Sequence, residues 1–223
     1  MAYFTKDFID FFKELAPNNS KEWFDENRKR YHESVKEPFD TFVRDLIAEM
    51  SKSNKKLAHL EPKDCIFRIN RDIRFSNDKT PYKLNRSAAI SEGGRKDFTT
   101  PGLYFEFTPE HVRIYTGAYR PAKEQLQAIR EEIADKLNKF GKIINDPKFV
   151  ETFGEVQGEK NSRLPKDLKE AAEKQPLIYN KGFYIYHTMP PEVILKDDLI
   201  NRLLEPFEVA QPYIKFLTKP LSV

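Results

Sequence analysis

The spacing of apolar residues along this chain switches from the helical period to strand alternation near Cys65, and that switch restricts the fold more than any motif. Before it, Phe8, Phe11, Phe12 and Leu15 recur at helical spacing from Thr5 to Pro17. Ser20 is a fitting N-cap for a second helix carrying Trp23, Phe24, Asn27 and Tyr31. Pro38 is read as a break, after which Phe39, Phe42, Val43, Leu46, Ile47 and Met50 make one continuous stripe. Three helices are therefore expected before the first strand. Beyond Cys65, residues 66–75, 87–91, 103–108 and 111–118 alternate or carry aromatic and β-branched residues, with Pro109-Glu110 as a hairpin connection. Gly93-Gly94 reads as a turn between the second and third of these strands, because turns use glycine more often than phosphate cradles do.

Pro121 opens a long helix with Leu126, Ile129, Ile133, Leu137 and Phe140 on one face, which should cover the sheet. Asp146-Pro147 starts a short helix closed by Gly154, and another follows Pro165. Residues 183–187 read as a fifth strand, and Leu199 to Leu217 as a terminal helix interrupted at Pro206 and Pro212. The expected class is α+β: a central, mainly antiparallel sheet of about five strands packed with helices. No shift in composition marks a linker and no internal repeat is visible, so residues 1–223 are read as a single domain.

Charge is distributed unevenly. The whole chain carries 38 − 35 = +3, whereas the segment from Arg68 to Arg86 has four arginines and two lysines against two aspartates, +4, leaving −1 for everything else. A basic excess confined to one aromatic-flanked segment marks a candidate anion site. In an extended chain Phe67, Ile69, Ile73 and Phe75 fall on one face and Arg68, Asn70, Asp72, Arg74 and Ser76 on the other. Arg71 falls on the apolar face, which calls for a bulge near Arg71 and Asp72 to turn it outward. Asn77-Asp78 and Thr80-Pro81 end the strand, placing Lys79, Tyr82 and Lys83 on a turn that can fold back over the polar face.

The same residues carry a resemblance. The run Arg71-Asp72-Ile73-Arg74-Phe75-Ser76 with Asp78-Lys79-Thr80-Pro81-Tyr82-Lys83, followed by Pro101-Gly102-Leu103-Tyr104, resembles the signature of the conserved hypothetical family called domain of unknown function 2461. Phe8-Ile9-Asp10-Phe11-Phe12, Trp23-Phe24, Asn27, Gly117-Ala118-Tyr119 and Gly182-Phe183-Tyr184-Ile185 are similar too, so the likeness spans nearly the whole chain. It implies an intracellular, single-domain protein of helix and sheet, and brings no catalytic residues to transfer. Where the family is usually glycine-rich after its first hairpin, this chain has Tyr115-Thr116-Gly117, a departure that speaks against a close backbone approach at Tyr115 and Thr116.

Several chemistries lack their sequence marks. His32, His59, His111 and His187 show no metal-ligand spacing, and no metal or cofactor is expected. No GxSxG, GxxxxGK[ST] or GxGxxG occurs, which argues against hydrolase, P-loop and dinucleotide-binding classes. The lone Cys65 cannot form an internal disulfide, and no apolar run approaches the length that spans a bilayer, so a cytoplasmic location is expected and no membrane partner. The sheet aromatics Tyr104, Phe105, Phe107, Tyr115, Tyr119, Phe183, Tyr184 and Tyr186 are read as core, with a base-stacking platform as the alternative.

The expected function is recognition of a small phosphorylated or carboxylated ligand. Arg68, Arg71, Arg74, Lys79, Tyr82 and Lys83 are the candidate grip, and Asp72 or Asp78 would orient an arginine or act as base. Nucleic-acid backbone binding is a weaker expectation, since such proteins spread basic charge over a broad face. A purely structural ion-pair network, with binding to another protein as the function, is the third.

Overall fold

The computed structural model describes residues 1–97 and 100–221. Helix α1 (Lys6–Leu15) buries Phe8, Ile9, Phe11, Phe12 and Leu15, the stripe read from the sequence. Helix α2 (Lys21–Glu26) begins where the Ser20 hydroxyl accepts the Trp23 backbone N–H at 3.2 Å. The chain then runs through α3 (Arg28–Tyr31), a π-helical turn (His32–Lys36) and α4 (Glu37–Ser53). The break expected at Pro38 is thus absent. The wider π turn ends with the Glu37 N–H bonded to the His32 carbonyl, and Pro38 falls in the first turn of α4, where a missing donor is tolerated. A further short helix, α5 (Pro62–Cys65), follows with Cys65 fully buried. More than the three expected helices therefore precede the first strand.

The sheet has four strands rather than five: β1 (Arg86–Ile90), β2 (Leu103–Phe107), β3 (Val112–Ala118) and β4 (Phe183–Met189). They are antiparallel in the order β1-β2-β3-β4. The missing strand is the one expected at 66–75. In its place are isolated antiparallel bridges, Ile66 to Ala88 and Asn70 to Tyr82. Beyond Arg71 the side chains of Asp72 and Asp78 take the backbone N–H groups of Arg74 (3.3 Å) and Thr80 (2.9 Å), and such local bonds compete with a ladder. Phe75, expected on the apolar face, is 95% exposed, and the bulge expected near Arg71 and Asp72 has no ladder to interrupt.

The long helix expected after Pro121 is two, α6 (Lys123–Asp135) and α7 (Leu137–Ile144), divided at Lys136, whose φ of −127° and ψ of 40° are not helical. Helix α8 (Pro147–Phe153) starts with the Asp146 carboxylate accepting the N–H groups of Lys148 and Phe149, as expected. Helix α9 (Lys169–Lys174) follows Pro165 after a 3-10 turn. The terminal helical region is α10 (Leu199–Val209) and α11 (Gln211–Leu221); Pro206 lies inside α10 without ending it.

The chain divides into two compact units. The first takes Met1–Arg95, Tyr104–Ile114 and Thr188–Arg202. At its centre Phe107 meets the rings of Phe4, Phe8, Phe39, Phe42 and Phe105 at centroid distances of 5.3–6.2 Å. The second takes Lys96–Leu103, Tyr115–His187 and Leu203–Val223, and its core gathers Ile129, Ile133, Phe140, Phe149, Phe183, Ile185, Tyr213 and Phe216. In that unit Gly117, at φ +108°, lies so close to β4 that a Cβ there would sit 2.3 Å from the Phe183 carbonyl oxygen, a position only glycine can hold. The sheet aromatics divide by face. Phe105, Phe107 and Phe183 are core, as expected, whereas Tyr119 and Tyr186 are exposed. Among the described residues no helix is long and apolar enough to cross a membrane.

Candidate anion site

Residues 66–71 and 81–88 run antiparallel as an irregular ribbon in the first unit. Backbone bonds join Phe67 N–H to Ser87, Lys83 N–H to Ile69 and Arg71 N–H to Pro81, at 2.9–3.0 Å. The ribbon has two ends of different chemistry. At its tip, residues 72–80 form a loop whose cations are already engaged. At its base, the ribbon borders a groove in which four of the seven cations form no ion pair among the described residues.

In the tip loop Arg71 is drawn back inside, donating to the Asp78 carboxylate and the Thr80 hydroxyl. Arg74 grips Asp72 in a bidentate pair, Nε at 2.9 Å and Nη2 at 2.7 Å. Lys79 donates to the Ile73 carbonyl at 3.0 Å, so it tethers the loop to itself. The two aspartates are held ionised by these contacts. Asp78 falls from 3.8 to about 2, chiefly through the Thr80 N–H, then the Thr80 hydroxyl, then Arg71. Asp72 also falls to about 2, mainly through the Arg74 side chain and its N–H. Neither carboxylate is suited to take up a proton near neutral pH.

A carboxylate favoured when charged stabilises the fold above its unfolded value, and that contribution is lost as pH falls through about 2. We expect Thr80→Val and Arg71→Met each to raise the Asp78 value, with neither variant restoring the ordinary value because the Thr80 N–H remains. Carbon-detected NMR titration of the Asp78 carboxyl measures this, and an unchanged value in either variant would remove that contact as a cause.

Tyr82 lies between the two regions. Its ring is 7% exposed and stacks on Phe24 at 4.0 Å and 16°, and Asn19 bonds both its N–H and its carbonyl. It is a packing residue that fixes the ribbon to α2.

The groove at the ribbon's base encloses about 680 Å³. Seven cations line it: Arg28, Lys36, Lys63, Arg68, Lys83, Arg86 and Arg95, against the single carboxylate of Asp40. Three of the seven are paired, Arg28 with Asp25, Lys36 with Asp40 at 2.9 Å and Lys63 with Glu61 at 2.6 Å. The other four form no ion pair among the described residues. Arg95 reaches the Lys63 carbonyl. Arg68 projects into solvent.

Arg86 is the unusual member. It is 4% exposed, with its guanidinium 5.1 Å from the Phe39 ring and Nη1 donating to the Phe67 carbonyl at 3.0 Å, while its Nε has no partner. A buried cation without a carboxylate is costly, and an unmet N–H adds to that cost. Lys83 is its neighbour, half-buried, with Nζ 5.6 Å from the Phe67 ring centroid. Burial depresses the Lys83 ammonium, and the charges of Arg68 and Arg86 depress it further.

Of the residues expected to form the grip, then, Arg68 and Lys83 come together at the groove, and Arg71, Arg74 and Lys79 are turned to the tip loop. Arg28, His32, Lys36 and Asp40 went unrecognised in the sequence although their spacing of four puts them on one helix face. That series crosses Pro38, where a break was expected, and only the π turn keeps it in line. Elsewhere the histidines have ordinary partners: His187 contacts the Thr152 carbonyl at 2.9 Å and His111 the Glu106 carboxylate at 3.4 Å. No group of three or more potential metal-binding side chains gathers among the described residues.

Residues 7–216 match the family of conserved hypothetical proteins DUF2461. The chain belongs to this family. The match takes in both the tip loop and the groove of this DUF2461 protein, and its description names no reaction. No curated protein matches the chain.

Proposed function

We propose that this DUF2461 protein recognises a small phosphorylated or carboxylated ligand, held in the basic groove by Arg68, Lys83, Arg86 and Arg95. The observation that carries the reading is Arg86: a buried guanidinium with no carboxylate and an unmet Nε, beside a depressed lysine, is an arrangement that an anion would relieve. Each charge-assisted hydrogen bond contributes about 1.5–3 kcal/mol, so two or three of them give weak to moderate affinity. Phe24, Tyr31 and Phe67 on the same walls offer apolar contact for the rest of the molecule. The tip loop, with its cations internally paired, supports the groove through the ribbon. A cytoplasmic setting agrees with the single Cys65, fully buried and pushed up to about 11 by that burial, which keeps it a protonated, unreactive thiol.

Thermal unfolding with inorganic phosphate, pyrophosphate and citrate, each against sodium chloride of equal ionic strength, tests the reading. An anion at about ten times its Kd adds about 1.4 kcal/mol, roughly 3–6 °C for a protein of this size. If no anion exceeds the chloride control, the reading fails. A response confined to oligonucleotides and steep in salt would point instead to a nucleic-acid backbone.

A further inference from the structure

One cation of the groove is held in a way that anion recognition alone does not require. A lysine serving only as a counter-charge is best left hydrated and flexible, free to meet the ligand as a compact point charge. Lys83 is held otherwise. Its backbone is fixed by the bond to Ile69, its stem is half-buried, and its amine lies over the face of Phe67. Arg68 and Arg86 stand next to it, and Arg28, Lys63 and Arg95 add positive charge from the other walls. The one carboxylate on those walls, Asp40, is taken by Lys36, and the remaining titratable neighbours, Tyr31 and His32, carry no negative charge at neutral pH. No acid therefore holds the Lys83 proton. An amine desolvated among other cations is the setting in which lysine becomes a nucleophile toward carbonyl carbon.

We infer that Lys83 forms an imine with an aldehyde or ketone that carries a phosphate or carboxylate group, the anion seated on Arg68, Arg86 and Arg95. The Lys83 lone pair attacks the carbonyl carbon, and the proton it loses passes to the carbonyl oxygen. The resulting carbinolamine then expels that oxygen as water, leaving a C=N bond with no oxidant or reductant consumed. The surrounding cations serve twice. They bind the anionic end of the ligand, and they disfavour the ammonium that would block attack. This inference rests on the anion reading of the same groove.

Pyridoxal phosphate, an aldehyde bearing a phosphate, is the probe, with pyridoxal as its phosphate-free counterpart. Imines formed at neutral pH are trapped with borohydride and located by peptide mass spectrometry, using the exposed Lys6 and Lys29 of the same unit as internal references. We expect pyridoxal phosphate to label Lys83 at least about tenfold faster than those two, inorganic phosphate to suppress the difference, and pyridoxal to show less of it. Arg68→Ala, a change at an exposed and unpaired side chain, should leave the melting temperature in place and reduce the labelling. Lys83→Arg should keep the phosphate-dependent rise in melting temperature while removing the fast phase of imine formation. If Lys83 is labelled no faster than Lys6 and Lys29 while phosphate still raises the melting temperature, the inference is overturned and the anion reading survives. If pyridoxal labels as fast as pyridoxal phosphate and phosphate protects nothing, both are overturned.

Discussion

Arg86→Met is expected to leave the ligand-free protein as stable as the parent or more so, by up to about 2 kcal/mol, and to remove most of its stabilisation by phosphate. The two effects have one cause. A buried guanidinium with no carboxylate is a strain on the apo fold, and exchanging a buried charge for an apolar chain of similar volume is often neutral or stabilising. Methionine keeps the contact with the Phe39 ring, where the guanidinium now lies at 5.1 Å, but forfeits the bond to the Phe67 carbonyl. That lost bond, worth about 1 kcal/mol, sets the lower end of the expected range. Binding should weaken by about 10- to 100-fold, the size of one charge-assisted hydrogen bond. Urea unfolding and isothermal titration with phosphate measure the two halves separately. A variant that binds phosphate as the parent does would remove Arg86 from the site. A variant that loses several kcal/mol without ligand would make it a structural residue.

Phe107→Ala carries the largest expected effect on the fold, a loss of about 3–5 kcal/mol. Its ring is fully buried and touches five other phenylalanines, three of them edge-on, so truncation removes area, leaves a cavity between rigid rings and abolishes the T-shaped pairs with Phe4, Phe8 and Phe39. Domains of ordinary stability hold 5–15 kcal/mol, so the variant should be near the edge of folding at 37 °C. Phe75→Ala is the matched control. The Phe75 ring is 95% exposed, with the Arg74 guanidinium 5.8 Å from its centroid, and its removal should change stability by no more than about 0.5 kcal/mol. Comparable losses in the two variants would contradict the burial that separates them.

That contrast also shows how far the sequence could be followed. Alternation marked both phenylalanines as apolar strand positions, and for Phe107, on a hairpin closed by Pro109-Glu110, the alternation is real. Around Phe75 it is coincidental. The carboxylates of Asp72 and Asp78 accept local backbone N–H groups there, and a few short-range bonds outweigh a pattern that would need a partner strand. Pro38 misled in the opposite direction. A proline ordinarily ends a helix, yet a π turn ahead of it keeps α3 and α4 on one course and brings Arg28 and Lys36 to the groove together.

From the sequence alone come the helix and strand periods, the α+β class, the caps at Ser20 and Asp146, the hairpin, and the concentration of positive charge between Arg68 and Arg86. Those properties depend on residues within a few positions of one another, where spacing and composition act directly. Which cations stay free was decided by the tertiary structure. Arg71 and Arg74 find acids within their own loop, whereas Arg86 is enclosed by Phe39 and Phe67 with no acid beside it, and Arg68 and Lys83 join it with Arg95 from a separate stretch of chain. A charge is neutralised by whatever lies within a few ångströms of it, and that distance is set by how remote segments fold together.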